Sequence, residues 1–319
     1  MKRYSDFTAS FFVFSAFLTG CGAPGLSVAS SAPQMTDSAS AVKGSAFLYV
    51  AAAHPQTTVK IFTYPKIGLV GQVPSDESFA SVCSDPKTGH VFVSQTHGLD
   101  EYMRGQTKKI ATLPAPSGYN ELEGCSVDPI SGDVAVVTEG APTAVMVYPH
   151  GNGTPLIYTD PSIISYYYSS YDASGNLFVL GYGLHNKSIT TGFAELAKGS
   201  NMLIDITLDQ SVGTPQKLQW DGQYMALDKG GTIYRVRVVG TEGKIVSTTL
   251  LGSGNPLAGG DLWIDRNKVL GPYGKPPGEG VGVGLYNYPA GGDPISVTHG
   301  VVYKGTIVSD LNLSVLAKN

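Results

Sequence analysis

Short apolar runs recur along this chain with a period that organises the rest of the sequence. They begin at Leu48 (LYVAAA), Val91 (VFVSQ), Val134 (VAVVTE), Leu177 (LFVLGYG), Ile233 (IYRVRVV) and Val269 (VLGPYG), at successive offsets of 43, 43, 43, 56 and 36 residues. From the second onward an aspartate precedes each run. In four cases a glycine follows that aspartate: Asp85-Pro-Lys-Thr-Gly89, Asp128-Pro-Ile-Ser-Gly132, Asp172-Ala-Ser-Gly175 and Asp228-Lys-Gly-Gly231, with Asp265-Arg-Asn-Lys a degenerate fifth copy. Such segments form tight turns, because Asp bonds its own backbone and Gly takes positive φ without steric cost.

A period near 43 residues with several short strands per unit is the pattern of propeller blades. Six runs predict an all-β, six-bladed β-propeller over residues 46–319. A seven-bladed count stays open, because residues 184–200 in the long fourth interval have room for an extra hairpin. Each unit reads as an inner strand (ASVCSD, GCSVD, YYYSSYD, QYMALD, DLWID), the repeat strand, a third strand such as VKIFTYP, and a variable fourth. The first unit lacks an inner strand of its own, so residues 305–318 (GTIVSDLNLSVLAK) are the candidate to supply it and close the ring.

Composition agrees with this picture and removes one class of partner. Of 319 residues 42% are hydrophobic, enough for a sizeable core, while charged residues make up 14%, well under the roughly 25% usual for soluble domains. The net charge is −4 with no basic run, so nothing gathers phosphates and nucleic acid is not an expected partner.

The first 45 residues read as targeting and tether. Lys2 and Arg3 precede an apolar stretch at residues 7–18, too short to span a bilayer, in the layout of a signal peptide over residues 1–20. It ends in Leu18-Thr19-Gly20-Cys21, which resembles the lipobox of bacterial lipoproteins. That resemblance implies cleavage before Cys21, a thioether-linked diacylglycerol with palmitate-type chains on its sulfur, and a place in the bacterial cell envelope, anchored to a membrane and facing the periplasm or exterior. Of residues 22–44, 15 are Ala, Ser, Gly or Pro, so residues 21–45 are expected to act as a flexible tether.

The run Asp172-Ala-Ser-Gly-Asn-Leu-Phe-Val179 and the recurring Tyr-Pro tails resemble the NHL-type six-bladed propellers of exported bacterial proteins. The resemblance implies the fold and leaves the function open, because that scaffold hosts binders, lactonases, lyases and structural modules. No Gly-x-Ser-x-Gly elbow, phosphate-binding loop, His-Glu-x-x-His or Cys-x-x-Cys occurs. The gluconolactonase branch holds a divalent metal with one Glu, two Asn and an Asp. No motif here maps onto those ligands, so no metal residues are assigned and no cofactor is expected beyond a divalent ion as the one candidate.

Counting back five and seven residues from each turn aspartate places Glu121, Glu123 and Asp221 at the starts of inner strands, where the channel opens in propellers of this type. Asp261, Tyr166, Tyr167 and Tyr168 join them there as ligand-binding candidates. His54, His97 and His185 fall in the loops between second and third strands, on the same face, and are candidates for a metal or a polar ligand. Glu121, Glu123, Tyr167 and Asp221 are read as rim side chains with little structural work, and the opposite face, with its short Asp turns, is expected to leave little room for recognition. Cys83 and Cys125 sit on consecutive inner strands in opposite registers. They are either two small buried thiols filling inter-blade space, the preferred reading, or a disulfide. Two functions compete: a membrane-anchored extracytoplasmic module that binds a protein or polar small molecule, and an exported lactonase- or lyase-like enzyme using the acidic rim and a metal.

Overall fold

Within the apolar runs, successive side chains serve two different cores. In the first run Phe47, Tyr49 and Ala51 pack with Val82, Val91 and Val93 of the next unit, while Leu48, Val50 and Ala52 pack with Leu270 and Val283 of the last. A strand turns alternate side chains to opposite faces, and both faces of each blade are covered here, so the strands read as unbroken apolar runs.

The computed structural model describes residues 46–53, 57–76, 80–185, 188–252, 261–274, 282–301 and 307–315. The lipobox, Cys21, the tether and His54 lie outside the described residues. The described strands form six antiparallel sheets, numbered here as blades from the innermost strand outward. Blade 1 holds β25 (Ile307–Ser314), β1 (Ala46–Ala53), β2 (Thr58–Tyr64) and β3 (Leu69–Pro74). Blade 2 holds β4 (Val82–Ser84), β5 (His90–Gln95), β6 (Gly98–Met103) and β7 (Lys109–Pro114). Blade 3 holds β8 (Leu122–Val127), β9 (Val134–Thr138), β10 (Val145–Tyr148) and β11 (Leu156–Tyr158). Blade 4 holds β12 (Ile163–Tyr171), β13 (Leu177–His185), β14 (Ser188–Leu196) and β15 (Ile204–Asp205). Blade 5 holds β17 (Lys217–Trp220), β18 (Met225–Lys229), β19 (Thr232–Val239) and β20 (Glu242–Leu250), with β16 (Thr207–Leu208) parallel to its outer edge. Blade 6 holds β21 (Trp263–Asp265), β22 (Lys268–Tyr273), β23 (Gly282–Asn287) and β24 (Ser296–Thr298).

The fold is thus a six-bladed β-propeller. Residues 184–200 carry the third strand of blade 4 and no seventh blade. β25 pairs antiparallel with β1 from Phe47↔Ser314 to Ala53↔Ile307, so the last strand supplies the missing inner strand of blade 1. The pairing covers the edge of β1 that an open ring would expose. The hydrophobic core is divided among six clusters, each between one pair of adjacent blades.

Blade 5 corrects the sequence reading by one strand. Its inner strand is Lys217–Trp220, not QYMALD, and IYRVRVV is its third strand, not its second. With that change the second strands begin at Ala46, His90, Val134, Leu177, Met225 and Lys268, spaced 43 to 48 residues apart, and the irregular intervals disappear. The turn that belongs to the repeat is Asp221-Gly-Gln-Tyr224. Its aspartate Oδ1 accepts the backbone N–H groups of Gln223 and Tyr224 at 2.9 and 2.8 Å, as Asp85 and Asp128 accept those of Lys87 and Ile130.

Cys83 of β4 and Cys125 of β8 form a disulfide, with Cα atoms 5.6 Å apart. The reading of two separate thiols is corrected here. Inner strands converge toward the axis, so neighbouring blades approach closely enough at this radius to satisfy the limit of about 7 Å.

Candidate functional site

The six inner strands line one axial channel and bond to each other through side chains. Ser84 Oγ donates to Asn312 Oδ1 at 3.0 Å, and the Ser126 and Ser169 hydroxyls meet at 2.9 Å. Gln219 spans to blade 6, donating to the Ile264 carbonyl and accepting its N–H, both at 2.8 Å. The Trp220 N–H donates to Ser170 Oγ at 2.9 Å. Short polar side chains suit this position because the strands crowd too closely for bulk. At Gly124 a Cβ would come within 2.4 Å of the Tyr167 carbonyl oxygen, so only glycine lets β8 lie against β12 there.

A buried charged cluster divides the channel. Lys217 Nζ bonds Asp310 Oδ1 closely and lies 3.3 Å from Asp261 Oδ2. Asp310 Oδ2 also accepts from the Val82 N–H at 2.7 Å and Ser81 Oγ at 3.1 Å, fixing its carboxylate from both sides. Burial pushes the Asp261 carboxyl well above the usual range, with Lys217 pulling the other way. Burial also works against the charge on Lys217, but Asp310 and Asp261 overcome it and hold its pKa above the ordinary value.

On the mouth side of this cluster is a pocket of about 230 Å³ lined by Ser81, Glu123, Glu139, Tyr167, Tyr168 and Asp261, among others. Glu139 follows β9 and reaches across to blade 4, where Tyr167 donates its phenolic hydrogen to Glu139 Oε1 at 2.9 Å. The Tyr182 ring stands edge-on to Tyr167 at 4.9 Å. Burial raises the Tyr168 phenol well above its usual value, and Asp261 and Glu123 push it further the same way. Both phenols therefore stay protonated, Tyr167 with its hydrogen given to Glu139.

Glu123, Tyr167, Tyr168 and Asp261, singled out from the sequence, do meet in this pocket. The other candidates do not. Glu121 is exposed at the rim, in a left-handed conformation with φ of 54°. Tyr166 is fully buried between blades 3 and 4, where its hydroxyl accepts the Asp160 N–H at 3.0 Å. A bulge between Tyr166 and Tyr168 breaks the alternation that would put these two on one face, so Tyr166 packs between blades 3 and 4 and Tyr168 against the cluster between blades 4 and 5. Asp221 lies on the opposite side of the ring, in the turn joining the inner and second strands of blade 5, because the slipped register put it on the wrong face. It is structural: Oδ2 accepts from Arg235 Nε and the Tyr288 hydroxyl, both at 2.6 Å. Burial works against its charge, yet the bonds from Arg235, Tyr288 and two backbone amides hold its pKa below the ordinary carboxylate value.

His97 is exposed in the turn after β5, and His185 ends β13. Among the described residues no three His, Cys, Asp or Glu side chains are arranged to hold a metal ion. Glu139, Lys217, Asp310 and Ser81 were missed by sequence reasoning. Lys217 was hidden in an unrecognised strand, and Glu139 closes the strand VAVVT, a position outside the inner-strand count.

On the far side of the charged cluster the channel widens into a second chamber of about 320 Å³ that reaches the turn prolines Pro86 and Pro129. The Asp-turn side therefore carries the larger of the two channel chambers, contrary to the expectation that it leaves little room.

No protein-family model matches the chain, and no curated protein matches it. Solved structures do resemble it. A protein of unknown function from Bacteroides caccae aligns with a TM-score of 0.59 at 14% identity, over 85% of this chain and 99% of that one. A candidate TolB from Agrobacterium tumefaciens gives 0.55 at 15%, over 85% and 97%, and the β-propeller domain of Cps50 (Swd1) from Myceliophteria thermophila 0.52 at 11%, over 80% and 84%. Such distant likeness shows the fold alone.

Proposed function

We propose that this chain is a membrane-anchored extracytoplasmic binding module whose mouth pocket takes a small organic cation bearing hydroxyl groups. One observation carries the reading: Glu123, Glu139 and Asp261 converge with Tyr167 and Tyr168 on a single pocket at the axis. Carboxylates recognise ammonium groups, and phenols add hydrogen bonds and a ring face for a cation. An anion meets only like charge there. The anchor rests on the Leu18-Thr19-Gly20-Cys21 tetrad, and the disulfide is in keeping with export, since such bonds persist in oxidising compartments.

Two experiments test the two halves. Cys21→Ser is expected to abolish labelling by a fatty acid and leave the precursor uncleaved; normal processing of that variant removes the anchor. Calorimetry of the folded domain against primary amines, quaternary ammonium compounds and amino sugars is expected to find a binder that Glu123→Gln and Glu139→Gln each weaken by about tenfold. Equal binding of sugar acids, or a binder indifferent to both substitutions, removes the ligand assignment.

A further inference from the structure

The chamber behind the charged cluster differs in chemistry from the mouth pocket. The two share only Gly124 and Tyr168 in their walls. Both tryptophans of the chain, Trp220 and Trp263, line the inner chamber, half-buried, together with the aliphatic side chains of Leu313 and Val315. Between these carbon surfaces lie hydroxyl and amide groups of the channel collar. Its charges are committed: Lys217 to Asp310 and Asp261, and Asp265 at the rim to Arg266 at 3.4 Å.

Asn312 adds a polar group to that wall. It is 1% exposed and lines the chamber, and its Oδ1 accepts from Ser84. The other end of the amide, Nδ2, is a hydrogen-bond donor for an acceptor brought from outside.

We infer that this chamber is a second ligand site, taking a neutral hydroxylated ring of single-sugar size. A volume of about 320 Å³ is at the lower end of the roughly 300–1,000 Å³ of small-molecule sites, so one ring system fits and an oligomer does not. Indole surfaces cover the ring's carbon faces, and a ring hydroxyl accepts from Asn312 Nδ2. A charged ligand would lose its hydration here and gain no counter-charge.

The chain reports on this site by itself, since its only two tryptophans line it. Titration with glucose, galactose, mannose and N-acetylglucosamine, followed by tryptophan emission and saturation-transfer NMR, is expected to give a saturable response from at least one. Asn312→Leu is expected to weaken that response by about tenfold. Glu123→Gln, which alters only the mouth pocket, is expected to leave it unchanged, keeping the two sites separable. The proposal is overturned by a panel without saturable response, by equal binding of glucuronate, or by a response that Asn312→Leu leaves undiminished in a folded variant.

Discussion

Lys217 of blade 5 holds Asp261 of blade 6 at 3.3 Å while bonding Asp310 of blade 1, so one ammonium ties three blades at the axis. Removing a buried partner strands the charges that remain, which typically costs about 3–5 kcal/mol. Lys217→Met is therefore expected to lower the stability of the domain by several kcal/mol at pH 7 in urea unfolding. The loss should shrink as the pH is lowered, because burial pushes the Asp261 carboxyl well above its ordinary value and protonating it removes stranded charge. A deficit independent of pH would show that Lys217 acts through packing alone.

Asp228 titrates in the opposite sense from an ion-paired carboxylate. It is 1% exposed, its Oδ2 has no partner among the described groups, and burial raises its pKa to about 7. The unfolded chain releases this proton near pH 4 and the folded one near 7, so the folded state holds an extra proton between those values. The stability linked to that proton is complete below about pH 4 and is lost as pH rises through 7. Asp228→Asn should raise the melting temperature at pH 8 and change it little at pH 4; a constant shift at both pH values contradicts the assignment.

The Cys83–Cys125 bridge closes a loop of 42 residues between neighbouring blades. A cross-link of that span contributes about 2–4 kcal/mol. Mass spectrometry of the unreduced protein is expected to find neither cysteine open to alkylation, and dithiothreitol to lower the urea midpoint. Two alkylated thiols in folded protein would rule the bridge out.

Asp221 and Glu123, read alike from the sequence, should separate cleanly. Asp221→Ala removes the partner of Arg235, Tyr288 and two backbone amides, and is expected to cost about 2–3 kcal/mol with mouth-pocket binding unchanged. Glu123→Gln is expected to leave the melting temperature within about 1 °C and to weaken binding. The reverse pattern would return Asp221 to the ligand site.

That divergence shows what the sequence could and could not carry. The period, the six blades and the closing strand were readable because each rests on local patterning repeated along the chain. Blade 5 was not, because Lys217–Trp220 is only four residues long and Asp228-Lys-Gly-Gly231 matches the turn pattern better than Asp221-Gly-Gln-Tyr224 does. The shift that buries Tyr166 comes from a bulge, which leaves no compositional trace. The axial cluster was equally invisible, since Lys217 and Asp310 are 93 residues apart and meet only when the ring closes.

The pairing of β25 with β1 also sets the order of events during synthesis. Blade 1 lacks its innermost strand until Ile307–Ser314 has left the ribosome, so the other five blades must wait, assembled or not, for that strand before the ring can close. A product cut short before Ile307 would keep every other blade and yet expose β1 and lose Asp310, offering an unpaired edge to proteases and to other chains. β25 thus serves as a check that synthesis has passed blade 6 and reached the closing strand.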